Sequence, residues 1–138
     1  MLRFLIGLFI ISHGLVHLWF FTLSQGLVKF QPGMREPGWT GRSWLFTSLL
    51  GESTTRSLAG ILFVLAAVAF IISGLGIFFR AEWWWPALIG SAIFSSVIIL
   101  ILWDGSLQLA VDKGVIGLLI SLVILVVLLL FKRPAFAF

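Results

Sequence analysis

The sequence predicts an all-α integral membrane protein, a four-helix bundle of up-down-up-down topology with a short interfacial helix in its first loop. Composition is the first observation behind this reading: of 138 residues, 61% are hydrophobic and 10% charged, with a mean hydropathy of +1.19. A single small fold leaves too much of its surface outside to enclose that share of apolar side chains, so the excess faces lipid. The second observation is the placement of charge. A charge at mid-membrane costs roughly 2.5 to 3.5 kcal/mol even on the mildest scale. Residues 4–28, 57–79, 83–103 and 114–131 contain no Asp, Glu, Lys or Arg, and each run is near the length of about 17 to 25 residues that crosses a bilayer. No repeat and no low-complexity linker interrupts them, so residues 1–138 are read as one transmembrane domain.

The first span follows Met1-Leu2-Arg3. Its apolar stretch exceeds the roughly 7 to 15 residues of a signal-peptide core and no small-residue cleavage site follows, so it is expected to remain in the mature chain. The loop after it carries Pro32-Gly33, Pro37-Gly38 and Gly41 as turn residues. Within that loop, residues 42–50 are too short to span. Leu45, Phe46, Leu49 and Leu50 project to one side of a helix there, with Ser43, Thr47 and Ser48 on the other. This reads as an interfacial or partly re-entrant segment, with Trp39 and Trp44 at headgroup level.

Only Arg80-Ala81-Glu82 separates the second and third spans, which requires a tight hairpin with Trp83, Trp84 and Trp85 at the interface. Pro86 then falls in the first turn of the third span, where its missing N–H is harmless. The fourth span is almost wholly Leu, Ile and Val, with Ser121 as its one hydroxyl, and ends at Lys132-Arg133-Pro134. It reads as a lipid-facing wall covering an interior lined by the other three. Four spans place both termini on one side. Arg3, Arg80, Lys132 and Arg133 on that side nearly balance Lys29, Arg35, Arg42, Arg56 and Lys113 on the other. The terminal amine tips the count, and both termini are expected in the cytoplasm of a prokaryotic cell membrane.

The chemistry available inside the spans is narrow. Cysteine and tyrosine are absent, which excludes disulfides, thiolate metal sites and iron–sulfur clusters. The net charge of +4 is scattered at the ends of apolar runs and forms no nucleic-acid-binding stripe. What remains is Ser12-His13-Gly14-Leu15-Val16-His17 near the middle of the first span. His13 and His17 project about 40° apart, with Ser24 between them. Imidazole at membrane depth ligates metals, binds haem, donates to a quinone or relays protons. It also hydrogen-bonds across helices, and Ser73, Ser91, Ser95 and Ser96 are candidate partners. His13-Gly-Leu-Val-His17 lacks the glutamate of a zinc-peptidase helix, and no third ligand lies within a span. Gly60, Ala67 and Gly74 at heptad spacing, and Ser91 with Ser95, read as helix-packing seams. Asp104 and Asp112 read as solvated loop carboxylates, and a loop of residues 39–50 folding over the same end would lid the histidines.

Arg3, Gly7, the His13-to-His17 segment, Pro37-Gly38-Trp39 and Ser43-Trp44-Leu45, followed by three further helices, resemble a group of small four-helix prokaryotic membrane proteins of unassigned activity. More loosely, the chain is similar to the DoxX-like family. That resemblance implies the architecture, and a link in some members to quinone-dependent sulfur oxidation or oxidative-stress complexes. This chain has His17 where that family often carries a lysine or similar polar residue, and the resemblance transfers no catalytic residue. The functional expectation is a non-enzymatic accessory or structural subunit of a membrane complex, packing against itself or partner subunits. The alternatives are a redox component holding haem, metal or quinone at His13 and His17, and a small-solute or proton pathway.

Overall fold

The computed structural model describes residues 1–28, 41–108 and 110–131, and among these there is no strand. The helices are α1 (Leu2–Ser24), α2 (Phe46–Leu50), α3 (Glu52–Phe78), α4 (Trp84–Ile101) and α5 (Ile116–Phe131). Four are long and apolar enough to cross a membrane: α1, α3, α4 and the stretch Val111–Phe131 that contains α5.

The boundaries differ from the charge-free runs for physical reasons. α1 stops at Ser24 instead of reaching residue 28, because Gly26 adopts φ +64 and the Thr22 and Ser24 hydroxyls turn back onto the Trp19 and Phe21 carbonyls. α3 begins at Glu52, five residues before its apolar run, since Glu52 and Arg56 are exposed and a charge at a helix end stays in water. The turn after α3 holds Arg80 at φ 56, and the Ala81 N–H returns to the Gly76 carbonyl at 2.9 Å. This closes the helix as a glycine usually does, with an arginine in the left-handed position. Before α5 the chain makes one wide turn, Val111–Val115, in which the Val115 N–H reaches the Ala110 carbonyl and Gly114 sits at φ 100.

Close backbone approach sets the packing. A Cβ at Gly74 would stand 2.8 Å from the Gly7 carbonyl oxygen, and one at Gly14 would stand 2.7 Å from Phe70 Cβ and 3.1 Å from the Ala67 carbonyl. At the other end of the pair, Gly60 lies against Ser24 and Gln25. The start of α1 therefore lies beside the end of α3. Ser73 meets Ser91 at 3.1 Å between α3 and α4, with Gly76 under Trp83 and Trp84. α4 meets α5 through Ser95 and Ser121, and Ile99 packs over Gly114 and Gly117. Two apolar layers fill the interior. One centres on Ile10, Phe70, Ile77, Trp84 and Leu88, the other on Phe20, Phe63, Ile98, Ile99 and Leu102. The histidines lie between them.

Residues 43 and 44 dock on the end of α4. The Trp44 N–H donates to the Trp103 carbonyl at 2.6 Å, the Trp44 indole to the Leu100 carbonyl at 2.8 Å, and the Ser43 hydroxyl to the Ile101 carbonyl. α2 itself buries no residue. The Phe20–Phe63 layer lies between this segment and the histidines, so the docked chain covers the end of α4 and the aromatic layer seals the histidines. Trp39, Pro32-Gly33, Pro37-Gly38 and Lys132-Arg133-Pro134 lie outside the described residues.

Candidate functional site

His13 and His17 occupy successive turns of α1 and both point inward, 5% and 1% exposed. Gly14 between them admits α3 so closely that Phe70 reaches both imidazoles, with ring centroids 4.7 Å from His13 and 5.6 Å from His17. The two imidazoles are perpendicular and 5.5 Å apart.

Four hydrogen bonds link these two imidazoles with Ser95 of α4 and Ser121 of α5. His17 Nδ1 lies 3.2 Å from the His13 carbonyl oxygen, His17 Nε2 lies 2.8 Å from Ser95 Oγ, Ser121 Oγ lies 3.3 Å from Ser95 Oγ, and His13 Nε2 lies 3.2 Å from Ser121 Oγ. Donor and acceptor roles follow in order. A carbonyl only accepts, so His17 Nδ1 carries a proton; in a neutral imidazole Nε2 then accepts from the Ser95 hydroxyl. Ser95 has spent its proton and takes the one from Ser121, whose oxygen accepts from His13 Nε2–H. The sequence of bonds starts on His13 and ends on the His13 carbonyl, which makes it a closed ring. The tautomers are assigned by this logic of the network.

Ser121 was missed from sequence. The fourth span reads as a lipid wall, yet its one hydroxyl is fully buried and sits in the ring. A lone polar residue in an otherwise uniform apolar run was the available signal, since such a group is seldom left facing hydrocarbon. The other candidates lie elsewhere. Ser24 is buried at the end of α1 with Gln25, Ser73 pairs with Ser91, and the Ser96 hydroxyl bonds to Ala92 of its own helix. Gly60, Ala67 and Gly74 all face α1, so that seam is consumed within the chain.

The chemistry open to this site is limited by the same bonds. Among the described residues no group of three His, Asp or Glu side chains lies close enough to hold a metal ion. Both nitrogens of His17 are engaged, and His13 Nδ1 is the ring nitrogen without a partner among the described residues. A haem iron or metal would find one open imidazole nitrogen, and a quinone carbonyl would compete for donors already used.

A second polar centre lies beyond the end of α4. Lys113 Nζ sits 2.7 and 2.9 Å from the two Asp104 carboxylate oxygens, with side chains only 6% and 10% exposed. It also reaches the Ser106 carbonyl, onto which the Trp103 indole donates. This corrects the reading of Asp104 as a solvated carboxylate. The left-handed turn at Gly114 brings the chain back so that Lys113 meets it. Arg42 and Glu52 also pair, at 2.8 Å, but both are more than half exposed.

No family model, curated protein or solved structure matches this chain.

Proposed function

We propose that this chain is a multi-pass membrane protein whose four long helices cross in up-down-up-down order, with α2 at the interface, and that it serves as a non-enzymatic accessory or structural subunit of a membrane complex. One observation carries the reading: the two imidazoles and the Ser95 and Ser121 hydroxyls are bonded to one another in a closed ring, which leaves His13 Nδ1 as its one nitrogen without a partner among the described residues. A conduit for protons or solutes needs a chain of groups open at both ends, and this one returns to the helix where it began. Partner docking falls to the outward face of α5, because the small-residue seam of α3 is occupied by α1. α5 is the least buried span, with Leu119, Leu122 and Val126 all turned outward. The bilayer is read as the prokaryotic cell membrane with cytoplasmic termini.

In-membrane photocross-linking tests the reading. Cross-linkers at Leu119, Leu122 and Val126 should give one discrete protein adduct, and those at Ile61 and Leu65 on the outward face of α3 should give lipid adducts. Lipid adducts from both sets would overturn it.

A further inference from the structure

A cleft of about 180 Å³ opens between α1 and α5 in the half of the molecule that holds the start of α1. Ile6, Phe9 and Ile10 line it on one side, Val123, Ile124 and Val127 on the other, and Trp84 and Leu88 form part of its back. Every lining side chain is hydrocarbon or aromatic. An apolar cavity of about 150 Å³ already takes a benzene-sized guest and stays dry without one, so this cleft is large enough for several methylenes. Its inner end lies one turn from the histidine–serine ring, because His13 follows Ile10 and Ser121 precedes Ile124 by three residues each.

One turn outside the residues that line it, α1 carries a cation. Arg3 lies one turn before Ile6 and projects within about 20° of Ile10 on α1. Its guanidinium leans over the Phe4 ring at 4.8 Å, and its buried Nε has no hydrogen-bond partner among the described residues. A half-buried arginine with no ion-pair partner among the described residues, one turn outside an apolar cleft, matches an amphiphile with an anionic head and a hydrocarbon tail.

The geometry points to a binding site for one anionic phospholipid, with an acyl chain in the α1/α5 cleft and its phosphate on Arg3. The assignment rests on the bilayer placement proposed above. A quinone head is the poorer occupant, since the cleft wall exposes no polar atom to it, and the ring beyond Ile10 is closed.

The full chain is reconstituted in phosphatidylcholine vesicles containing a minor share of phosphatidylglycerol, and flotation with resistance to alkaline extraction first establishes insertion. Failure at that step overturns the bilayer placement and the site with it. With insertion shown, phosphatidylglycerol bearing a photoreactive group on its acyl chain should label Ile6, Phe9, Val123 and Val127 above the other outward apolar residues. Excess unlabelled phosphatidylglycerol should suppress that labelling and phosphatidylcholine should not. Val127→Trp, which fills the cleft, should abolish it. Arg3→Gln should lose about five-fold of the preference for the anionic lipid. Even labelling along α1 and α5, or equal competition by the neutral lipid, would overturn the site, and the competition needs no variant to fold.

Discussion

His17 Nε2 lies 2.8 Å from Ser95 Oγ, the shortest bond of the ring and the one that ties the middle of α1 to the middle of α4. Ser95 also accepts from Ser121, so a single hydroxyl connects three helices. Ser95→Ala should lower stability by about 1 kcal/mol, the scale of polar contacts between membrane helices. Ser96→Ala removes a bond confined to its own helix and should change stability by a few tenths at most. Unfolding in mixed micelles measures both, and equal effects would show that the ring contributes nothing as a unit.

The ring also dictates where the imidazole protons sit. His17 should be the Nδ1–H form and His13 the Nε2–H form, an unequal pair one helical turn apart. Nitrogen-15 spectra of histidine-labelled protein in lipid separate the two tautomers directly. Finding the same tautomer at both positions would break the assignment, because the Ser95 and Ser121 hydroxyls could not then point the same way around the ring.

Glycines that look alike in sequence should behave in opposite ways. A methyl at Gly14 meets Phe70 Cβ at 2.7 Å and a backbone oxygen at 3.1 Å, whereas one at Gly90 meets nothing within 4 Å. Gly14→Ala should therefore cost about 1 to 3 kcal/mol as α1 and α3 are forced apart. Gly90→Ala should gain up to about 1 kcal/mol from helix propensity. Thermal denaturation in detergent is the measurement, and a stable Gly14→Ala protein would mean that the close approach is not needed.

The Asp104–Lys113 pair is nearly buried, so removing one partner strands the other. Asp104→Leu should cost about 3 kcal/mol, and adding Lys113→Met should recover most of it, since a buried pair often breaks even against apolar replacements. Glu52→Gln, at the exposed pair with Arg42, should stay under about 1 kcal/mol. A double variant no better than Asp104→Leu would show that the two residues do not act as a pair.

What the sequence disclosed, and what it hid, follows from how each feature is encoded. The spans were legible because each is written locally, as an absence of charge over its own length. The shared face of His13 and His17 was legible because helical spacing fixes it. Ser121 was not, because a hydroxyl on a uniformly apolar helix carries no periodicity to orient it, and its partners lie on α1 and α4. Nor was the Asp104–Lys113 pair, because it depends on the positive φ of Gly114, and a nine-residue separation through a turn has no regular geometry. The start of α3 was misplaced because absence of charge reports only the apolar part of a helix, and this one begins in the charged and polar residues before it.

The Ser43 hydroxyl performs two tasks at once. It donates to the Ile101 carbonyl at the end of α4, and its oxygen accepts from the Leu45 and Phe46 N–H groups at 3.2 and 3.0 Å. It thus satisfies one orphan carbonyl of a long helix and two orphan amides at the start of α2. Ser43→Ala removes both, at a helix-cap cost of about 1 kcal/mol. α2 buries none of its own residues fully and is otherwise held by the Trp44 bonds and the half-buried Phe46, so the loss should appear as local opening with the four long helices intact. Hydrogen exchange at the Leu45 and Phe46 amides should speed up by about five-fold, with exchange in α3 and α4 unchanged. The Trp44 N–H, bonded to the Trp103 carbonyl, is the informative neighbour. If its exchange stays slow while Leu45 and Phe46 open, the tryptophan alone anchors the segment; if all three stay slow, the serine is not the cap.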